Sequence, residues 1–378
     1  MDKDIIRILN VLPQLTWCGG IESYLLSYYA YIAHDKFQFD FIVHGKIDNQ
    51  IKCYIENNGG RVYVFKSFSV RKLLNLKRDI ESFFVKYAEE YKIIHCHMAN
   101  AAFIYFPLAK KYGINNCLLH SHNNKSAAIL THAIRNYPLL WLGRKYATHC
   151  LACTEEAGKF LFKNREFTII KNAIDVDKFK YNSALRQELR QKLNVKDKFV
   201  VGHVGRLDPQ KNQIFLLQIF AELKKYKKDV VLFLIGEGSD KDKLQKKVQE
   251  LNLINDVCFL GVKKDVETYY QVFDFFVFPS EYEGLGIVLI EAQTSGLPVL
   301  ASADVIPKDA KVSDLLTFMS LSSNAKEWAK KILYISNRFN NKNRKSPIND
   351  VIKKGYSIKK EAIKLENYYA DILRCNDD

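Results

Sequence analysis

The sequence predicts an α/β protein built as two doubly wound domains in tandem. Three observations carry this prediction. Strand-length apolar runs alternate with helix-length periodic segments from the first residues onward. The alternation starts afresh near residue 199, and 378 residues are more than one hydrophobic core comfortably fills.

In the first series, apolar or alternating runs at 5–12, 38–43, 61–65, 93–96, 117–121 and 148–152 read as strands bounded by turn residues. Helix-like segments separate most of them, as expected of a parallel sheet with helices on both faces. A polar, helix-tending stretch at 172–198 connects to a second series at 199–204, 230–235, 257–260, 275–278 and 298–301. Beyond about residue 321 the chain turns helical and basic. Ile358, Ala362, Leu365 and Tyr369 fall on one face of a last helix, an apolar stripe that must dock on another element.

Composition narrows the function classes. Hydrophobic residues make up 48% and charged residues 26%, the balance of an ordered globular chain. No apolar run approaches the roughly 18–20 residues that span a bilayer. The opening Met1-Asp2-Lys3-Asp4 leads directly into a strand, without the apolar core and cleavage site of a secretory signal, so a cytoplasmic location is expected. Eight cysteines are scattered, several in strand-like runs, which suits reduced core thiols; Cys150 and Cys153 form a CxxC without a second pair. The net charge of +15 divides as +9 over residues 1–180 and +6 over the remainder. Arg71, Lys72, Lys77 and Arg78, and Trp141, Arg144 and Lys145 within 137–146, mix cations with apolar residues as a surface facing an anionic membrane does. Solvated lysine-rich helix faces give the same pattern.

In an open parallel sheet, ligands bind beyond the carboxyl ends of the strands, so the loops there hold the candidate site. After the first strand, Gly19-Gly20 lets the main chain approach a phosphate or sugar at a helix start, or simply makes a tight turn. After the first strand of the second series, Arg206 and Lys211 lie five residues apart, within reach of one pyrophosphate. The segment Pro279-Ser280-Glu281-Tyr282-Glu283-Gly284-Leu285-Gly286 follows a strand and opens a helix whose free amides, around Gly284, Leu285 and Gly286, suit an anion. Glu291, two turns into that apolar helix, can accept hydrogen bonds from a ribose diol. His95-x-His97 and His120-Ser121-His122-Asn123-Asn124 end two strands of the first series, and alternation puts each pair on one face. No carboxylate follows at a catalytic-metal spacing, so these histidines are expected to hydrogen-bond, with His122 as the favoured substrate contact. Gly236-Glu237-Gly238 supplies only the first two glycines of a dinucleotide fingerprint, and no Walker A sequence occurs.

Together these residues resemble glycosyltransferase family 4, retaining enzymes of the GT-B fold, over nearly the whole chain. Glu283 and Glu291 match the family's E-x7-E motif, Gly205-Arg206-Leu207 with Lys211-Asn212 its phosphate loop, and Gly19-Gly20 its glycine pair. His122 stands at the donor-sugar histidine, and Asn172-Ala173-Ile174-Asp175 resembles the inter-domain N-G-I-D with alanine for glycine. The segments around Leu9–Glu22, Phe39-Asp40-Phe41, His120–Asn123 and Gly355-Tyr356-Ser357-Ile358 resemble enzymes of bacterial capsular and exopolysaccharide assembly. Leu285 departs from the family's aromatic, and Asp304-Val305-Ile306-Pro307-Lys308 from its glycine-rich turn.

The resemblance implies two Rossmann-like domains facing across a cleft: an acceptor domain at 1–175, a donor domain at 176–355, and a helix at 356–378 packing back on the first. It implies transfer from a nucleotide sugar, UDP-linked by preference, to a saccharide or lipid-linked saccharide, with no cofactor, no metal and no nucleic acid. Arg206, Lys211 and the amides near Gly19, Gly20, Leu285 and Gly286 would hold the pyrophosphate, Glu291 the ribose, and Glu283 with His122 the sugar. A nucleotide-sugar epimerase or phosphorylase, an inactive partner subunit and a basic nucleic-acid-binding protein are the competing readings.

Overall fold

The computed structural model describes residues 5–17, 19–67, 73–122, 130–303, 305–339 and 343–374, those at 130–136 without their side chains. Cys18, Arg71, Lys72, Asn123, Asn124, Asp304 and Cys375 lie outside the described residues. The chain divides into two compact units, Met1–Ala173 with Ile358–Asp378, and Ile174–Ser357.

The first unit holds seven strands: β1 Ile6–Leu12, β2 Phe37–Val43, β3 Val62–Val64, β4 Tyr91–Cys96, β5 Asn116–Ser121, β6 His149–Ala152 and β7 Thr168–Ile169. All pair in parallel in the order β3-β2-β1-β4-β5-β6-β7. The second unit holds β8 Phe199–Val204, β9 Val230–Ile235, β10 Val257–Gly261, β11 Phe275–Phe278, β12 Val299–Ser302 and β13 Leu316–Met319, in the parallel order β10-β9-β8-β11-β12-β13. Each sheet is therefore wound outward from its first strand in both directions. The winding reverses between β1 and β4 in one unit and between β8 and β11 in the other, and at such a reversal the loops diverge to leave a crevice.

Buried strands here read as continuous apolar runs because helices cover both faces. Val230–Ile235, VVLFLI in sequence, is buried throughout. The charged exception, Asp40 in β2, is satisfied three times: by the Arg7 guanidinium at 2.6 Å, the Tyr91 hydroxyl at 2.8 Å and the Arg61 amide at 2.7 Å. The two strands missing from the sequence reading are β7, whose two residues carry no periodicity, and β13, an edge strand paired only to β12.

The polar stretch after residue 173 folds as helices Val176–Phe179 and Ser183–Lys192 within the second unit. Arg186 and Arg190 of the longer one pair with the buried Asp274. The last helix, Ile358–Arg374, belongs to the first unit. Its stripe Ile358, Ala362, Leu365 and Tyr369 is buried beside Phe37 and Phe39, with Tyr369 ring centroids 5.9 and 6.2 Å from theirs. Burying such side chains is worth roughly 1.5–3 kcal/mol each for the larger ones, enough to fix a helix that is polar on its other face.

Candidate functional site

In the second unit the candidate residues converge where the winding reverses. The loop after β8 carries Arg206 and Lys211, the loop after β11 carries Glu283, and the two strands are hydrogen-bonded neighbours. Lys211 Nζ donates to Glu283 Oε1 at 2.5 Å, with both side chains largely buried. The same ammonium sits 5.0 Å from the centre of the Phe278 ring, so it rests on an aromatic face while gripping the carboxylate. Ser280 Oγ lies 2.6 Å from Glu283 Oε1. Gln210 joins the loops further: its carbonyl accepts from the Glu281 amide at 2.8 Å, and its Nε2 donates to the Tyr282 carbonyl at 2.9 Å.

Arg206 is placed differently. Its side chain is half exposed, 3.2 Å from Asp208 and 3.3 Å from Gln210 Oε1. Asp208 also caps the turn Pro209–Lys211 by accepting from the Lys211 amide. Two glycines explain how this loop is held. A Cβ on Gly236, at φ +133°, would fall 2.0 Å from the Gly205 carbonyl oxygen, and one on Gly238 would fall 2.2 Å from that of Leu207. The pair that resembled half a dinucleotide fingerprint is thus a packing device, letting the loop after β9 lie against the loop after β8.

Gly286 takes the left-handed conformation, φ +76°, and starts the helix Ile287–Thr294 with no side-chain cap for its first amides. Leu285 points its side chain into the core, so only its main chain is left to meet a ligand. Glu291 lies among the buried Ile290, Ala292 and Leu289 and accepts from the Tyr270 hydroxyl at 2.7 Å. Burial pushes its carboxyl up to about 7 against the lowering effect of the Tyr270 hydrogen bond, and Glu267 nearby adds to the rise.

In the first unit the candidates gather where β1, β4 and β5 end. The helix Gly20–Tyr29 starts at Gly19, whose Cβ would stand 1.8 Å from the Glu22 carboxylate, while a Cβ on Gly20 would meet nothing within 4 Å. Glu22 therefore folds over Gly19 at the positive end of its own helix, and the two glycines have unlike roles. His97 Nδ1 and His122 Nε2 lie 2.9 Å apart, and His97 Nε2 lies 3.3 Å from Asn10 Oδ1. His95 Nε2 is 3.2 Å from His120 Nδ1, and its Nδ1 is 2.8 Å from the Tyr369 hydroxyl. The Tyr24 ring packs against three of the four imidazoles. All four histidines are buried, and burial holds them well below their ordinary range, His95 and His122 at about 3. They are neutral hydrogen-bonding groups at physiological pH. One nitrogen from each of His95, His97 and His120 lies within 4.8 Å of the others, the one set among the described residues with metal-ligand character. Most of those nitrogens are engaged with each other, Tyr369 or Asn10.

The sequence thus placed Arg206, Lys211, Glu283, Gly284, Leu285, Gly286 and Glu291 on one unit, and Gly19, Gly20 and His122 on the other. It gave no signal for Asn10, a polar group in a mostly apolar strand, or for Tyr270, one of two adjacent tyrosines in a short helix; their partners lie 87 and 21 residues away. Cys96, Cys117 and Cys150 are buried free thiols and Cys153 is buried as well; burial pushes Cys96 and Cys117 up to about 12. No helix among the described residues is long and apolar enough to cross a membrane.

Residues 186–352 match the family model described as glycosyl transferases group 1. The protein EpsF of Bacillus subtilis (strain 168), assigned to the glycosyltransferases, is 30% identical over 340 residues, 88% of this chain and 88% of its own. The UDP-Gal:alpha-D-GlcNAc-diphosphoundecaprenol alpha-1,3-galactosyltransferase of Escherichia coli is 25% identical over 318 residues, 79% of each chain. Among solved structures, Anabaena Alr3699/HepE in complex with UDP-glucose superposes with a TM-score of 0.77 at 20% identity, over 97% of this chain and 100% of that one.

Proposed function

The chain belongs to the group 1 glycosyl transferases, and on that premise we propose that it moves a sugar from a UDP-sugar to a lipid-linked saccharide in cell-surface polysaccharide synthesis. The reaction retains anomeric configuration and uses no metal, as the resemblance to family 4 implies.

The observation that carries the reading is the Lys211–Glu283 pair at the β8/β11 reversal, with Arg206 beside it. A departing nucleoside diphosphate needs cations where its charge develops. The Lys211 ammonium has three N–H donors and uses one on Glu283, so it can hold the carboxylate and still reach a phosphate. Arg206, half exposed, offers a fork that fits two phosphate oxygens. The amides that open the helix after Gly286 add a positive helix end. Glu291 takes the ribose hydroxyls and Glu283 orients the sugar, while His122 is the favoured substrate contact of the first unit. UDP as the donor nucleotide is supported by the UDP-glucose complex of the Anabaena protein, and a lipid-linked acceptor by the name of the Escherichia coli relative.

An interfacial site of action is supported by one face of the first unit. Tyr137 and Trp141 on the helix Leu130–Tyr146 are 58% and 50% exposed, each with a lysine ammonium over its ring, Lys163 and Lys145. Cation and aromatic side by side suit the headgroup region of an anionic bilayer, which supports action at the inner face of the cell membrane.

The test is transfer from a panel of UDP-sugars to undecaprenyl-diphosphate saccharides in EDTA, with the anomeric configuration of the product read by NMR. Transfer with retention supports the reading. Hydrolysis or epimerisation without acceptor replaces it with the epimerase or phosphorylase reading, and donor binding without turnover replaces it with an inactive partner.

A further inference from the structure

We infer that Asn10 and His97 are positioning residues that set the tautomer of His122, leaving its Nδ1 as a hydrogen-bond acceptor for a sugar hydroxyl; this rests on the proposed glycosyltransferase reading for the identity of the hydroxyl only.

Donor and acceptor roles propagate along the chain of side chains from its fixed end. The Asn10 amide nitrogen faces two carbonyls, those of Ile8 at 3.3 Å and Asp40 at 3.5 Å, and its Oδ1 faces His97 Nε2 at 3.3 Å. Turning the amide over would set its oxygen against two carbonyl oxygens, so the orientation is determined. Asn10 Oδ1 can only accept, and the proton of His97 is therefore on Nε2. A neutral imidazole carries one N–H, which leaves His97 Nδ1 as a lone pair. That lone pair, 2.9 Å from His122 Nε2, accepts, and so the proton of His122 is on its Nε2. His122 Nδ1 is then a lone pair with no well-formed hydrogen bond, as is Oδ1 of the neighbouring Asn172, which stands close enough to stabilise a protonated His122. Two unmatched acceptors at the carboxyl end of a parallel sheet call for a donor, and a sugar O–H is one. Neutrality of both rings is required for the relay, and their burial secures it. The Tyr24 ring, 5.8 Å from His97 and 5.1 Å from His122, packs on both imidazoles and limits their reorientation.

The arrangement has the logic of the carboxylate-oriented histidine of a hydrolytic triad, with an amide where that site has an anion. An amide fixes the proton without charging the ring. A carboxylate in its place would favour the imidazolium and take away the free lone pair of His122.

Nitrogen-15 NMR of histidine-labelled protein tests this without donor or acceptor. The wild type is expected to show His122 protonated on Nε2 alone. Asn10→Leu removes the fixed acceptor, and His122 is expected to become a mixture of tautomers with kcat lowered about five- to tenfold, the loss of roughly one hydrogen bond, and KM for the donor little changed. His97→Gln keeps an acceptor toward His122 and a donor toward Asn10, and is expected to restore both the single tautomer and most of the rate, whereas His97→Leu is not. A wild-type His122 protonated on Nδ1, or an unchanged tautomer in Asn10→Leu, overturns the inference whatever the enzyme transfers. The expected tautomer in a protein that transfers no sugar leaves the wiring standing and overturns the glycosyltransferase reading instead.

Discussion

Lys211 Nζ and Glu283 Oε1, 72 residues apart in sequence, meet at 2.5 Å between the loops that follow β8 and β11. The bond ties a cation suited to phosphate to a carboxylate suited to a sugar, so the two groups hold their spacing before any ligand arrives. Removing Lys211 leaves a buried carboxylate without its cation, which costs about 3 kcal/mol or more. Lys211→Met is expected to lower both stability and transfer. Lys211→Met with Glu283→Gln is expected to recover most of the stability and none of the transfer, and chemical denaturation beside a rate assay separates the two effects.

The residues at this reversal were legible in the sequence because each sits next to its strand and carries a type that is out of place there: cations at a helix start, glycines before a helix, a carboxylate in an apolar helix. What pairs them was not. Gln210 joins two loops 70 residues apart through its main chain as much as its side chain, and Asn10 reaches His97 across adjacent strands. Such contacts follow from sheet order, which periodicity does not specify. Leu285 shows the opposite case: its position was read from the motif, but its side chain belongs to the core. The apolar stripe of the last helix was readable but for Ile372, because four residues at helical spacing all join the cluster of Phe37, Phe39 and their neighbours.

Glu291, as the proposed ribose contact, is expected to make donor binding depend on pH. Its carboxyl, ordinarily at 4.5, is raised to about 7, and a ribose diol donates to the ionised form. UDP affinity is expected to rise with pH through about 7 and then level off, and titration calorimetry of Glu291→Gln is expected to show weaker binding without that slope. Stability runs the other way. A carboxyl whose folded pKa is raised contributes most below 4.5 and loses that contribution as pH climbs to about 7. Glu291→Gln is therefore expected to be more stable than the wild type at pH 8, and to lose that advantage near pH 5.

Glycines that look alike are expected to respond differently to alanine. Gly236→Ala would put a Cβ against the Gly205 carbonyl and push the loop bearing Arg206 and Lys211 out of place. It is expected to raise the donor KM by about tenfold or more and lower the melting temperature. Gly20→Ala, in a helix with open space around it, is expected to raise stability by roughly 0.5–1 kcal/mol. Thermal melts and donor saturation curves check both.

The exposed face of the helix Leu130–Tyr146 is expected to bind anionic vesicles. Trp141→Ser with Tyr137→Ser, and separately Lys145→Glu with Lys163→Glu, should each weaken co-sedimentation with phosphatidylglycerol vesicles by about fivefold or more, while transfer to a water-soluble acceptor is unchanged. Equal binding by the wild type and both double variants removes this face from the account.

The central claim is that the residues at the β8/β11 reversal form a nucleotide-sugar site that works without metal. Titration calorimetry of UDP, GDP and ADP and their sugars in EDTA, with the wild type and Arg206→Ala beside Lys211→Ala, tests it most directly. Selective binding of the uridine compounds by the wild type, weakened at least tenfold in each variant, is the predicted result. Binding that appears only when a divalent cation is restored, or that is the same in all three proteins, would contradict it.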